Sequence, residues 1–192
     1  MFDNVYFIGN KNVKRFDIIQ ELIGLCNGRR VTKPYYKHQS STLKQCNYGP
    51  VILWNTKALD ALSDKEEAAI LTQLAENRTR VLVILCRSAL YSGFTEKSFL
   101  DRVPARHPVV AVVTDRYSVS PDEYVRHTAW LPTFMSVFPV NLTPFVRDGV
   151  SYGLDGFKEL GEYIYPTDNV WKFFLGIILL VFFIFAFYKH AI

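Results

Sequence analysis

Residues 81–86 read Val-Leu-Val-Ile-Leu-Cys, a run of six apolar side chains that no charge or proline interrupts. Three of the six are β-branched, which favours a strand. A strand that is apolar at every position, rather than at alternate positions, is buried on both faces. Such strands are typical of a parallel sheet with helices on both sides, so we take this run as the centre of an α/β domain.

Shorter runs of the same kind occur at 5–8, 51–54 and 108–113. Between and after these runs, apolar residues recur at helical spacing, which predicts helices alternating with the strands. The order predicts an open, mainly parallel α/β sheet, Rossmann-like or flavodoxin-like, over residues 1–165. Helices are expected near 16–26, 63–76, 94–103, 122–130 and 155–163, a short strand within 134–140, and mainly loop with one short strand over 29–50.

Polar side chains follow the four apolar strands, namely Asn10, Asn55, Ser88 and Asp115. Because parallel strands end at one edge of a sheet, we expect these residues to approach one another there and to bind a ligand. Amides and a hydroxyl both donate and accept hydrogen bonds, whereas an ionised Asp only accepts. The set therefore suits a nucleoside-like ligand better than a bare phosphate. The alternative is that these strands simply end in polar residues.

Motifs for common nucleotide, acyl-transfer and metal sites are missing. The loop 9–12 departs from GxGxxG, and neither GxxxxGK[ST] nor GxSxG occurs. The four histidines and three cysteines show no metal-ligand spacing, so no metal is expected. The cofactor stays open, and a nucleotide or NAD-like ligand is the class that the strand ends would suit.

One arrangement resembles a known group of folds. Trp54-Asn55, then Ser63-Asp64-Lys65-Glu66-Glu67, then the strand at 81, is similar in layout to TIR-like and flavodoxin-like domains. The resemblance implies a hydrolase of a nucleotide N-glycosidic bond, in which Glu66 or Glu67 would contact the ribose. Ser63 and Glu66 also form a capping box, which gives this glutamate a structural role instead.

The basic character of the chain is local. The formal charge is +4, and residues 1–50 carry eight Lys/Arg against three Asp/Glu. The cations between 29 and 37 are interleaved with tyrosines and could meet an anionic surface, a membrane in particular. A dedicated nucleic-acid binder would carry more net charge, so nucleic acid is not expected as a partner. The candidate residues are Arg29, Arg30, Lys33 and Lys37.

Residues 170–189 form the longest apolar stretch of the sequence. At about 1.5 Å per residue, a helix of this length spans the roughly 30 Å of a bilayer core. Trp171 and Tyr188 lie where interfacial aromatic residues are found, and lysines flank the run. We expect a single-pass, tail-anchored protein with its N-terminal domain in the cytoplasm, a hinge at 166–169, a transmembrane helix at 170–189 and a tail at 190–192.

Two functions follow as hypotheses, and a small membrane-active effector whose anchor oligomerises is a third possibility. The first is a membrane-held domain that binds a partner protein or senses a nucleotide-like ligand. The second is the TIR-like hydrolase. An enzyme needs a carboxylate that faces the strand ends, whereas a binding module can leave Glu66 committed to its cap.

Overall fold

The structure is a computed structural model of the 192-residue chain. It describes residues 1–27, 38–39, 42–94, 96–147, 149–152, 154–166 and 178. The predicted transmembrane helix at 170–189 lies outside these residues, except for Ile178. None of the helices in the described ranges is both long and apolar enough to cross a bilayer. The four cationic candidates also lie outside the described ranges, namely Arg29, Arg30, Lys33 and Lys37.

Strands and helices alternate along most of the described chain. The strands are β1 (Asn4–Gly9), β2 (His38–Gln39), β3 (Leu43–Tyr48), β4 (Val51–Thr56), β5 (Val81–Ser88), β6 (Val109–Thr114), β7 (Val137–Val140), β8 (Phe145–Arg147) and β9 (Val150–Tyr152). The helices are α1 (Arg15–Asn27), α2 (Asp64–Glu76), α3 (Lys97–Leu100), α4 (Pro121–Thr128) and α5 (Phe157–Ile164). Short 3-10 helices follow β4 and β6, at Leu59–Ala61 and Arg116–Ser118.

The strands β1 to β7 form one sheet in the spatial order β2-β3-β4-β1-β5-β6-β7. Five of them run parallel, whereas β3 is antiparallel to β4 and β2 is antiparallel to β3. Counted along the chain, the five parallel strands lie in the order 2-1-3-4-5, which is the flavodoxin-like order. The predicted α/β fold with a mainly parallel sheet is confirmed.

The strand β1 shows how one sequence supplies both layers of the core. Successive side chains of a strand point to opposite faces of the sheet. Val5 and Phe7 therefore pack in the cluster that contains the apolar residues of α1 and α5. Tyr6 and Ile8 pack in the cluster that contains Ile70 of α2 and the apolar residues around α3. All six residues of β1 are buried, which explains its continuous apolar pattern.

The strand β3 gives a position to the short strand that was expected within 29–50. Its sequence, Leu-Lys-Gln-Cys-Asn-Tyr, is half polar: Lys44 and Asn47 are exposed, whereas Leu43, Cys46 and Tyr48 are buried. Gly49 and Pro50 are the two-residue connection between β3 and β4, with Gly49 at φ 58°. A two-residue hairpin connection favours such positive φ values. The turn residues Gly49 and Pro50 therefore connect two strands of a hairpin, and the sequence analysis had expected a strand in this segment without giving its position.

The short helix expected within 94–103 is α3, which spans four residues. The hairpin of β8 and β9 was not predicted, because three-residue strands are too short to show a period.

The strand β7 forms one edge of the sheet and contains Pro139. The backbone of Gly156, at φ 80°, lies directly against the Pro139 carbonyl oxygen, where a Cβ would find no room. Proline has no N–H to donate, so it is tolerated at sheet edges rather than between strands.

Candidate functional site

The parallel strands end at one edge of the sheet, and a pocket of about 320 Å³ lies at that edge. It opens between the loop that follows β1 and the loop that follows β5. These two strands are neighbours in space, and the chain order reverses between them. In open α/β sheets this switch point is where ligands bind. We call this pocket the crevice; its polar lining includes Asn10, Asn12, Asp60, Arg87, Ser88 and Glu96.

Two of the four predicted ligand-binding residues, Asn10 and Ser88, line the crevice. A third, Asp115, follows β6 and accepts a hydrogen bond from the Ser88 hydroxyl at 2.6 Å. The Thr114 hydroxyl donates to the same Asp115 oxygen at 2.9 Å. Asp115 therefore lies behind Ser88 and orients its hydroxyl, rather than lining the crevice itself.

The fourth predicted residue, Asn55, lies inside β4 rather than beyond its end. Because side chains alternate along a strand, Asn55 lies on the same face of the sheet as Leu53. It is not part of the crevice lining. Its Oδ1 atom is buried without a hydrogen-bond partner in the described structure.

A buried ion pair forms one wall of the crevice. Arg87 is 2% exposed and Glu96 is 3% exposed, and their Nη1 and Oε2 atoms are 3.3 Å apart. The other Glu96 oxygen accepts a hydrogen bond from the Asn10 side chain at 3.1 Å. Burial lowers the pKa of the Arg87 guanidinium, and the Glu96 carboxylate partly offsets that effect. The pair therefore connects the loop after β1 to the loop after β5.

Arg87 also holds the rim of the crevice in place. Its guanidinium lies 5.0 Å from the centre of the Trp130 ring and donates a hydrogen bond to the Tyr91 carbonyl. The Tyr91 side chain itself is 47% exposed. Leu90 and Phe94 are exposed on the same loop. The crevice thus combines a fixed polar floor with an exposed, partly aromatic rim.

The loop between β1 and α1 is organised around Arg15. This arginine is 8% exposed and donates hydrogen bonds to the carbonyl oxygens of Gly9, Asn10 and Thr56. Burial lowers the pKa of its guanidinium, and nearby Cys86 and Asp60 act in the opposite direction. The Arg15 guanidinium therefore occupies the space beneath the loop and places a positive charge there.

A strand–loop–helix connection of this kind is where the phosphate-binding sequence GxxxxGK[ST] is found. Counted from Gly9, this chain has Lys14 in place of the second glycine, Arg15 in place of the lysine and Phe16 in place of the hydroxyl residue. Backbone N–H groups of the loop already donate within the protein, from Lys11 to Asp60, from Val13 to Asn10 and from Arg15 to Val13. In this loop the carbonyl oxygens accept hydrogen bonds from the buried Arg15. A phosphate-binding loop would instead leave its N–H groups free to donate to a phosphate.

The two glutamates suggested by the TIR-like resemblance have other partners. Glu66 accepts from the Lys57 ammonium at 2.8 Å and from the Ser63 N–H and hydroxyl, in the capping box of α2. The hydrogen bonds from Lys57, and next those from Ser63, lower its pKa to about 2. Glu67 accepts a hydrogen bond from Arg102. Neither glutamate lines the crevice.

Sequence reasoning missed Asp60, Glu96 and the structural role of Arg87. Arg87 was visible as the polar residue that ends an apolar strand, but its burial was not. Glu96 belongs to a loop without periodicity, and only the fold brings it to Arg87. Among the described residues, no group of His, Cys, Asp and Glu side chains could hold a metal ion.

Comparison with known proteins gives structural relatives only. No protein-family model and no curated protein matches the sequence. Translation elongation factor SelB from Methanococcus maripaludis, in complex with the GTP analogue GppNHp, is similar over 88% of this chain, with 12% identity and a TM-score of 0.54. The apo form of SelB is similar over 86% of the chain, with 13% identity and a TM-score of 0.55.

A second structure concerns the chloroplast translocon components atToc33 and psToc159, for whose GTPase activity dimerization is important. It is similar over 84% of this chain and 80% of its own, with 10% identity and a TM-score of 0.55. The chain spans about a third, 34%, of the SelB chains. At these identities the comparisons show a shared α/β fold.

Proposed function

We propose that this protein displays a cytoplasmic α/β domain, residues 1–165, on a membrane and that the crevice binds a small nucleoside-like ligand. The hinge at 166–169 and the transmembrane helix at 170–189 would hold the domain at the bilayer. The observation that supports ligand binding most directly is the position of the crevice at the switch point between β1 and β5. Its volume of about 320 Å³ is at the small end of ligand pockets.

The polar groups of the crevice favour a neutral part of a nucleotide over its phosphates. Asp60 brings a carboxylate to the lining that would repel a phosphate, whereas the charges of Arg87 and Glu96 compensate each other. Hydroxyl groups of a ribose could instead donate to Asp60 and pair with Ser88. The exposed ring of Tyr91 at the rim offers a surface on which a base could stack.

The similar SelB structure contains a GTP analogue. In this chain, Arg15 occupies the loop after β1 and several of the loop N–H groups are already bonded. We therefore propose that the ligand is recognised through its base and ribose, and that a triphosphate with Mg²⁺ is not bound.

The test is calorimetry on the full chain in lipid nanodiscs with guanosine, adenosine, NAD and Mg²⁺-GTP. At least one nucleoside or NAD should bind, and Mg²⁺-GTP should not bind more tightly than guanosine. Ser88→Ala and Asp60→Asn should each weaken binding by about 1–3 kcal/mol, because each removes a hydrogen-bond partner.

Two control variants define the extent of the site. Asn55→Ala should leave affinity unchanged, since Asn55 lies outside the crevice. Asp122→Asn, which removes an exposed carboxylate of α4, should also leave it unchanged. Tight binding of Mg²⁺-GTP that needs its phosphates would contradict the proposal.

Two alternatives can be separated by experiment, and only the first is favoured by an observation of the structure. The exposed side chains of Leu90, Tyr91 and Phe94 could instead contact a partner protein. If the folded chain binds no ligand of the panel, we would conclude that the domain binds a partner protein. The TIR-like hydrolase would need Glu66 or Glu67 to leave its present partners. Turnover of NAD that is lost in Glu66→Gln or Glu67→Gln, with folding retained, would establish that alternative.

A further inference from the structure

We infer that the edge of the sheet opposite the crevice is the surface that rests on an anionic membrane, with Arg78, Arg80 and Arg106 against lipid headgroups and Phe134 in the interface. This inference rests on the proposed membrane attachment through 170–189. It adds an orientation and a second contact surface, neither of which the anchor by itself provides.

The chain leaves the domain at this edge. The Phe2 N–H, just before β1, donates to the Ile164 carbonyl at the end of α5, at 3.4 Å. The Tyr163 ring packs against Phe2 at 5.9 Å and against Phe138 at 5.1 Å between ring centres. Pro166 therefore lies beside the N-terminal ends of the parallel strands. The anchor proposed for 170–189 follows Pro166 after only three residues in the sequence.

Three arginines surround a pocket of about 430 Å³ at the same edge, beside Phe2. The side chain of Arg80 is 67% exposed, and its Nε atom is 3.7 Å from the Asp3 carboxylate, which is a loose pair. Arg106 donates to the carbonyl oxygens of Ala75 and Asn77, which directs its guanidinium to this pocket. Guanidinium groups match the geometry of phosphate oxygens and can bind them in a bidentate manner.

The charge balance of this edge favours an anionic partner. The pocket lining contains the three arginines and no carboxylate, and Asp3 contacts it through its loose pair with Arg80. The lining of the crevice at the opposite edge instead contains Asp60 together with the Arg87–Glu96 ion pair, which leaves one carboxylate without a cation from the lining. The two edges thus differ in the sign of charge that they would attract.

An apolar groove of about 550 Å³ adjoins the basic pocket and shares His107 and Pro108 with it. The loop before β7 contributes Phe134 and Met135 to this groove. Phe134 is 89% exposed, which is unfavourable for an aromatic side chain in water. Phe side chains next to basic residues are typical of surfaces that enter the boundary between headgroups and acyl chains.

One edge of the sheet thus carries the end of the described domain, three guanidinium groups and the exposed ring of Phe134. This combination of features favours a lipid surface as the partner that contacts this edge. The crevice then faces away from the bilayer. The eight residues of β5 separate the two edges by about 25 Å at 3.3 Å per residue.

The test measures how near each edge lies to the lipid. Phe134→Cys and Leu90→Cys, each in a Cys26→Ser background, are labelled with an environment-sensitive fluorophore. Cys46 and Cys86 are buried and do not compete for the label. The full chain is placed in phosphatidylcholine vesicles with phosphatidylserine, and flotation checks membrane attachment. Nitroxide-bearing lipids should quench the label at 134 several-fold more than the label at 90.

A charge-reversal pair tests the arginines. Arg78→Glu with Arg80→Glu should reduce quenching at 134 to near the level at 90, and so should vesicles without phosphatidylserine. Lys14→Glu with Lys65→Glu, two exposed cations at the crevice edge, is the matched control and should change nothing.

The outcomes separate the two proposals. A chain that does not float rejects the anchor and this orientation together. A chain that floats with equal quenching at both positions, or with stronger quenching at 90, rejects the orientation alone. Quenching at 134 that is insensitive to both arginine reversal and phosphatidylserine rejects the headgroup contact.

Discussion

Arg87 and Glu96 form an ion pair in the interior of the protein, 3.3 Å apart and nearly inaccessible to solvent, although one ends a strand and the other belongs to a loop. A buried pair gains little over an apolar pair of the same shape, but a single buried charge is strongly unfavourable. The fold is therefore more sensitive to losing one partner than to losing both. This property can be tested by comparing the unfolding free energies of single and double variants of the pair.

Glu96→Ala should lower the free energy of unfolding by about 3–5 kcal/mol, because Arg87 is left as an unpaired buried cation. The double variant Arg87→Met, Glu96→Ala should be less destabilised than Glu96→Ala alone. Chemical denaturation of the full chain in detergent, followed by fluorescence, measures both. As a control, Glu162→Ala removes an exposed pair with Lys158 and should change stability by less than about 1 kcal/mol. Equal losses in the single and double variants would contradict this account.

The capping glutamate Glu66 should make stability depend on pH in the acid range. Its pKa in the folded protein is lowered from 4.5 to about 2, first by Lys57 and then by Ser63. A depressed folded pKa contributes stability that is fully present above the unfolded value and is lost as pH falls from about 4.5 towards 2. Denaturation midpoints between pH 6 and pH 3 should therefore fall less steeply in Glu66→Gln than in the unmodified chain. Identical slopes would show that Lys57 and Ser63 do not stabilise the ionised carboxylate.

Gly9 is required by the close approach of β1 to β5. A Cβ at this position would run into the carbonyl oxygen of Cys86, which belongs to the backbone of the neighbouring strand. Gly9→Ala should therefore destabilise the protein by at least about 1–3 kcal/mol, because the two strands must separate. Gly93→Ala, where a Cβ meets nothing within 4 Å, is the matched control and should be near neutral. Thermal unfolding of both variants in detergent distinguishes them.

Arg15 should be important for folding of the first loop. Arg15→Met removes a buried cation that donates to three carbonyl oxygens, so we expect a loss of about 1.5–3 kcal/mol. Lys14→Met alters the neighbouring exposed cation and should stay within about 0.5 kcal/mol. The comparison is made by denaturant titration. A stable Arg15→Met variant would mean that the carbonyl oxygens of the loop find other donors.

The strands that sequence predicts well are those that are buried on both faces. At 5–8 and 81–86 every position is buried, and at 51–54 and 109–113 every position is buried or half-buried, so the apolar run records the burial directly. The short strand expected within 29–50 could not be given a position, because β3 is half polar and its buried residues Leu43, Cys46 and Tyr48 do not recur with a period of two. Gly49 and Pro50 beside it indicated a loop.

The residues of the candidate site could be predicted only where the topology of the sheet fixes the position of the residue. Asn10 and Ser88 follow or end parallel strands, and such ends share an edge whatever the side chains are. Asn55 was misplaced because β4 continues to Thr56, two residues beyond the apolar run, so Asn55 faces a helix layer instead. Arg15, Asp60 and Glu96 depend on how loops fold over that edge, which no periodicity in the sequence records.

Pro139 in the edge strand β7 has a consequence for self-association. The Ser136 carbonyl accepts a hydrogen bond from β6, so the backbone of Pro139, three residues on, points away from the sheet. That outer side has no N–H at Pro139, and Gly156 covers its carbonyl oxygen. A strand from another molecule could not extend the sheet there without losing hydrogen bonds at its centre. This edge is therefore protected against amyloid-like stacking of neighbouring copies.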